Sequence, residues 1–169
     1  MEYHDLASKK LDNRYLKKFK KWCGNYDIYF YSKSEQTEQK FVFYISKQKI
    51  NDFKNLGEKS IGYIECTIDF DDKDVFINWV NTKNKFQGKG IGTFLIILSC
   101  TYIKHLKKYK IKKILLDDDT DNSWNMKKNI YIKLGFKYIN EEPEPEMIGI
   151  IDKISNNWTK FFKNKPELI

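Results

Sequence analysis

Apolar residues recur along this chain in two rhythms, and the switches between them mark out its elements. Between Ser8 and Gly24, Leu11, Tyr15, Phe19 and Trp22 fall three or four apart, which predicts an amphipathic helix capped by Ser8 and stopped by Gly24. Three segments rich in β-branched and aromatic residues follow, at 26–32, 40–46 and 61–70, and polar stretches between them predict an antiparallel meander. A fourth strand at 74–80 leads through NTKNKF into QGKGIGTFLI, where Gly88, Gly90 and Gly92 alternate directly before an apolar run. In that run Leu95, Leu98, Tyr102 and Leu106 keep the period of a helix with one buried face. IKKILLD, at 111–117, is a fifth strand, parallel to the fourth because a helix joins them. A second helix over 123–134 carries Met126, Ile130 and Leu134 and ends at Gly135; FKYI and, after an acidic loop, EMIGIIDKI then form a last hairpin. The order is helix, strands, then strand, helix, strand, helix, strand, strand. It predicts a mixed α+β sheet with one crossover in its middle, as a single domain over residues 1–169.

Composition narrows the setting. No apolar run reaches the roughly 20 residues of a membrane span, and MEYHDLASKK lacks the apolar stretch of a signal peptide, so a soluble, cytoplasmic protein is expected. Cys23, Cys66 and Cys100 are odd in number, widely spaced and set among apolar residues, which suggests buried thiols, with neither disulfides nor a structural metal. The net charge of +8 and a pI near 9.2 raise the question of nucleic acid. The lysines, however, are scattered through the chain, whereas negative charge is concentrated in LDDDTD (116–121) and EEPEPE (141–146). Nucleic acid is therefore not the expected partner.

Three glycines before a helix ask for a chemical or a structural reason. Free N–H groups and the positive end of the dipole favour an anion at a helix N-terminus, and the lack of side chains lets a phosphate approach. A tight strand-to-helix turn with no ligand uses the same residues. The turn is not a Walker A loop, because GKG is not followed by Ser or Thr at the required spacing, and it is not a dinucleotide fingerprint. What remains is QxxGxG, read from Gln87, Gly90 and Gly92, together with NIYIKLGF, which places Tyr131 four residues before Gly135 and Phe136. On these two motifs, present in the right order and elements, the stretch 60–153 resembles the GNAT superfamily of N-acetyltransferases.

The resemblance implies a GNAT-like fold, a mostly antiparallel sheet whose parallel strand pair splays to admit the pantetheine arm of acetyl-CoA. It implies that the diphosphate rests on the N–H groups running from Gly88 through Lys89, Gly90, Ile91 and Gly92 to Thr93, with Lys83, Lys85 and Lys89 near for the 3′-phosphate. A backbone N–H near Trp79 and Val80 would stabilise the oxyanion. Tyr131 matches the family's proton donor to the departing thiolate, and it lies about 100° around the helix from the apolar stripe. The family often has an asparagine seven residues before that tyrosine and an alanine three after that asparagine; here those positions are Trp124 and Lys127, so Asn122, Ser123 or Asn125 would supply the missing hydrogen bond to the cofactor. Alignment by Trp79 and Val80 puts Asp74 at the position of the glutamate that some members use as a base. Glu65 and a water chain ending at Asp117 are the alternatives.

An alkyl ammonium of pKa about 10.4 is neutral about once in 2,500 molecules at pH 7, so some group must accept its proton. EEPEPE and Asp117, Asp118 and Asp119 flank the expected groove and would attract a cationic amine such as a polyamine, an aminoglycoside-like compound or a lysine-rich peptide. They read equally well as solvated loops of a basic protein. The functional reading is acetyl transfer from acetyl-CoA to such an amine in a ternary complex, by a monomer or homodimer. The competing readings are a domain that binds CoA without turnover and a basic nucleic-acid binder.

Overall fold

The computed structural model describes residues 2–5, 13–118, 129–140, 145–163 and 165–168. The elements along them are β1 (Glu2–Asp5), α1 (Asn13–Cys23), β2 (Asp27–Ser34), β3 (Glu38–Ser46), a one-turn α2 (Leu56–Lys59), β4 (Gly62–Asp69), β5 (Asp74–Thr82), α3 (Ile91–His105), β6 (Lys113–Asp117), α4 (Ile130–Leu134), β7 (Lys137–Asn140), β8 (Glu146–Ile150), α5 (Ile151–Ser155) and α6 (Trp158–Phe161). Among the described residues the strands form one sheet in the order β1-β2-β3-β4-β5-β6-β8-β7. Every neighbouring pair is antiparallel except β5 and β6, which α3 connects. The mixed α+β class, the mostly antiparallel sheet and its one parallel pair are those expected from the hydrophobic pattern.

Alternation along β4 explains the main core. Ile64, Cys66 and Ile68 point to one face and are fully buried, and Tyr63, Glu65 and Thr67 take the other. On the buried face lies α3. Its sequence predicts a single buried stripe, but the helix is covered nearly all round, from Ile91 through Phe94 to Cys100. The sheet covers one side, and α1, α5 and α6 cover the other. Phe94 stacks on Phe19 with ring centroids 5.2 Å apart and meets Trp22 at 5.4 Å and Phe161 at 5.8 Å. A helix apolar on all sides needs such a second layer. A smaller cluster of Tyr31, Val42, Tyr44, Ile50 and Leu56 closes the opposite face of β2 and β3. Cys23, Cys66 and Cys100 are buried free thiols, and burial pushes the Cys23 thiol up to about 12.

Three elements depart from the hydrophobic reading. A strand, β1, precedes α1 and pairs with β2 from Glu2 opposite Ser32 to Asp5 opposite Tyr29. EMIGIIDKI is not one strand: β8 ends at Ile150, and Ile151 begins α5. There Ile151 and Ile154 are buried three apart while Asp152 and Lys153 face outward, so the period changes from two to that of a helix. The helix that ends at Gly135 begins at Ile130, because Asn129 is extended (φ −68°, ψ 112°) and its side chain caps it; the expected start at Ser123 lies outside the described residues. Met126 and the rest of 119–128 lie outside the described residues, as do 141–144 of the acidic loop.

Candidate active site

The site starts from a defect in the sheet. β4 and β5 pair regularly until Cys66 faces Ile77 and Glu65 faces Trp79, so Asn78 is an extra residue bulged out of β5. A bulge bends its strand and raises its twist. β5 accordingly pairs with β6 only from Asp74 opposite Lys113 to Phe76 opposite Leu115, and the two strands then part. Among the described strands none pairs with β5 on that side from Ile77 to Thr82, which leaves a cleft of about 210 Å³ lined by Phe76, Asn78, Trp79, Val80, Asp117 and Tyr131.

The glycine turn stands at the other end of the same strand. Gly88 and Gly90 hold φ of +74° and +94°, values open to glycine without strain. The Gly90 carbonyl accepts from Phe94 N–H at 2.9 Å, which makes Gly90 the first turn's cap, and Ile91 is buried beneath it. Packing does not demand glycine at residue 92: a methyl group there would make ordinary contacts with Val80 at 3.6 Å and with Ile130 and Thr82 at 3.7 Å, so its bareness leaves room on the pocket side. Gln87 ties the turn to β5, its amide donating to the Thr82 carbonyl at 3.2 Å and the Asn84 amide oxygen at 3.3 Å. In front of the turn opens a pocket of about 630 Å³, walled by Gly88, Gly90, Thr93, Lys133, Lys160 and Lys165. Two bare glycines, main-chain amides at the start of a 15-residue helix and three lysines suit an anion carried on an extended ligand.

Tyr131 reaches the cleft because a helix stop holds it there. Gly135 takes φ +97° after α4, its N–H bonds back to Ile132, and Phe136 N–H reaches the Tyr131 carbonyl at 3.0 Å. This is a Schellman motif, and its usual apolar contact is the Phe136 ring set edge-on to Tyr131, 5.8 Å between centroids. The spacing of Tyr131, Gly135 and Phe136 is therefore a backbone requirement before it is a chemical one. Tyr131 is only 9% exposed and belongs to the core cluster, yet it lines the cleft. At the start of α4, Asn129 Oδ1 accepts from the N–H groups of Tyr131 at 2.9 Å and Ile132 at 3.1 Å. Its amide donates to Asp118 Oδ2 at 2.8 Å, and the Tyr138 hydroxyl donates to the same oxygen at 2.8 Å.

The remaining site residues separate. Asp74 does not line the cleft; it faces Lys113 and Asp69 where the strands are still paired, four residues and about 13 Å along β5 from the bulge. The acids near the gap are Asp117, in its wall, and Glu65, whose Oε1 accepts from the Asn78 amide at 3.4 Å. Asp118, grouped with the surface acids by sequence, is 1% exposed and turned inward to Asn129. Trp79 is 52% exposed at the cleft rim. Lys83 donates to the Glu58 carbonyl at 2.6 Å, Lys85 lies over the Phe86 ring, and Lys89 lies over the same ring with its ammonium 3.4 Å from the Leu168 carbonyl. The cations on the pocket wall are instead Lys133, Lys160 and Lys165. Lys133 stands inside YIKLGF, but no spacing connects Lys160 or Lys165 to residue 90. Asn122 and Ser123 lie outside the described residues.

No curated protein matches by sequence. Among solved structures, the PaiA N-acetyltransferase of Thermoplasma acidophilum in complex with coenzyme A aligns at 20% identity over 68% of this chain and 61% of its own, with a TM-score of 0.47. The ribosomal-protein-S5-alanine acetyltransferase of Vibrio fischeri aligns at 17% identity over 67% and 62%, TM-score 0.49. The ribosomal-protein-S18-alanine N-acetyltransferase of Escherichia coli aligns at 13% over 70% and 72%, TM-score 0.46. The match with the first of these thus spans less than two thirds of that protein's length. Among the described residues no helix is long and apolar enough to cross a membrane. The sequence profile of the acetyltransferase (GNAT) family matches residues 13–136, across the bulged strand, the glycine turn and the Tyr131 helix, and the chain belongs to that family of acetyl-CoA-dependent acyltransferases.

Proposed function

We propose that the protein transfers an acetyl group from acetyl-CoA to a cationic primary amine by direct attack within a ternary complex. The observation that carries this reading is the pair of cavities sharing β5 and α4 as walls. One is lined by lysines and bare glycine backbone; the other holds Asp117 and Tyr131. The donor fits them in that order, with its phosphates at the glycine turn and the pantetheine amides along the β5 edge that no strand pairs.

The chemistry asks three things of these residues. One proton leaves the bound ammonium and a second reaches sulfur, as the amine nitrogen bonds to the thioester carbonyl carbon, the C–S bond breaks and the nitrogen's remaining extra proton passes to water. Tyr131 gives the second proton, from a helix end fixed by its stop and its cap. Main-chain N–H groups of β5 near Val80 face the developing oxyanion. Asp117 accepts the amine proton, directly or through water, and takes that role from Asp74, which lies beyond reach of the cleft. Asp117 also stands opposite Glu146 in the β6–β8 pairing, so two carboxylates meet at the mouth. Their field favours a cation.

Two outcomes are expected. Acetyl-CoA raises the melting temperature, and in an amine panel a triamine reacts with a kcat/KM about tenfold above that of a carboxylate-bearing monoamine at low salt, a gap that narrows near 1 M salt. Stabilisation by CoA with no product from any amine would mean a binding module; equal, salt-insensitive rates would remove the cationic acceptor. Asp117→Asn lowers kcat/KM about tenfold at pH 7 and recovers above pH 9, where the amine, with a pKa near 10.4, sheds its own proton. A pH profile parallel to wild type would exclude Asp117 as the acceptor of that proton.

A further inference from the structure

The end of the chain lies outside the family match, yet it is folded onto the glycine turn. Leu168 N–H donates to the Trp22 carbonyl at the end of α1 at 2.8 Å, and the Leu168 carbonyl faces the Lys89 ammonium at 3.4 Å. Between these ties Lys165 crosses to the turn. Its ammonium sits 4.3 Å from the Phe161 ring centroid and 5.8 Å from that of Trp22, and a methyl group on Gly90 would come within 2.5 Å of it. The aromatic faces hold the stem and aim the charge. Among the described residues no carboxylate pairs with Lys133, Lys160 or Lys165, and none lines the pocket they surround. Burial draws the Lys165 ammonium below its usual pKa. Like charges gathered around an acid-free pocket repel one another, and an anion placed among them relieves that repulsion.

We propose that the C-terminal stretches 158–163 and 165–168 form a wall of the donor site, in which Lys165, seated over Gly90, pairs with the diphosphate of acetyl-CoA and Lys160 adds charge beside it. This rests on the acetyl-CoA reading above. The amides at the start of α3 hold the anion from the sheet side and Lys165 holds it from the opposite side. Gly90 is bare for the lysine as well as for the ligand. Donor binding and docking of the chain's end are then linked, each favouring the other.

Calorimetric titration of the full chain with CoA and with 3′-dephospho-CoA tests the assignment. Lys165→Met keeps the apolar stem on Trp22 and Phe161 and removes the charge. Both ligands are expected to bind it about tenfold more weakly than wild type, with a shallower salt dependence, and Lys165→Arg to stay within about threefold. Equal affinity for wild type and Lys165→Met overturns the proposal, as does an arginine variant no better than the methionine one. A loss confined to CoA reassigns Lys165 to the 3′-phosphate and overturns the diphosphate pairing. Wild type that binds neither ligand sinks the parent reading instead. A measurement without variants stands beside these: saturating CoA, but not pantetheine, is expected to protect Lys165 from an amine-reactive reagent mapped by mass spectrometry. Unchanged labelling of Lys165 overturns the pairing whatever the variants do.

Discussion

Replacing Tyr131 with phenylalanine is expected to lower kcat about 10²-fold at pH 7 while leaving the dissociation constant for CoA within about twofold of wild type. The size follows from the leaving group. A thiol with a pKa near 8.5 departs readily at neutral pH, so an acid beside it supplies the lower end of what general acid catalysis provides. The selectivity follows from structure. Phenylalanine keeps the edge-on ring contact with Phe136, the backbone bonds of the helix stop and the two N–H bonds to Asn129. In the proposed arrangement the donor phosphates meet the glycine turn, in the pocket on the other side of α4 from the phenol. Steady-state rates with calorimetry separate the two quantities. Unchanged kcat removes Tyr131 as the acid, and a parallel loss of CoA affinity turns it into a binding residue.

The motifs legible in the sequence were those whose backbone demands are local. Gly24, Gly90 and Gly135 stop or start helices by adopting positive φ, so their positions can be read from spacing alone. Tyr15, Phe19 and Trp22 showed the buried face of α1. Strand β1 was missed because EYHD offers only four residues, all of them titratable, and its pairing is decided by β2. The change from β8 to α5 was missed because MIGIIDKI satisfies a strand pattern until tertiary contact with α3 chooses the helix. Asn129 carried a readable sign, a capping residue two before Tyr131, but the apolar stripe running through it suggested a longer helix. Lys160 and Lys165 had none. Trp158, Phe161 and Phe162 pack against the core, and nothing in the spacing of this stretch says that Lys160 on α6 and Lys165 beyond it stand on the pocket at residue 90.

Nor could sequence tell Asp118 from its neighbour. Asp117 and Asp118 are adjacent and alike, but strand alternation sends one to the cleft and the other inward, where Asp118 joins three elements. Its carboxyl oxygen receives Asn129 and Tyr138, and its own N–H reaches the Pro145 carbonyl at 2.7 Å, so the end of β6, the cap of α4 and strand β7 meet at one residue. Asp118→Ala removes the acceptor that the Asn129 amide and the Tyr138 hydroxyl share, although the amide keeps its bond to that hydroxyl at 3.2 Å, and is expected to destabilise the fold by about 2 kcal/mol. The functional effect travels through Asn129. With the shorter anchor of its amide gone, the cap that holds the Tyr131 and Ile132 N–H groups loosens, and the Tyr131 phenol drifts from the geometry that the proposed proton transfer needs to within a fraction of an ångström. Well below the melting temperature, kcat is expected to fall about tenfold with KM for acetyl-CoA unchanged, and Asp118→Asn, which keeps one acceptor, to fall less. A double mutant tests the route. If Asp118 acts by placing Tyr131, adding Asp118→Ala to Tyr131→Phe lowers kcat little further, because the hydroxyl it positions is already gone. Full additivity of the two losses would mean that Asp118 acts on turnover by some other path, and the cap would then be structural only.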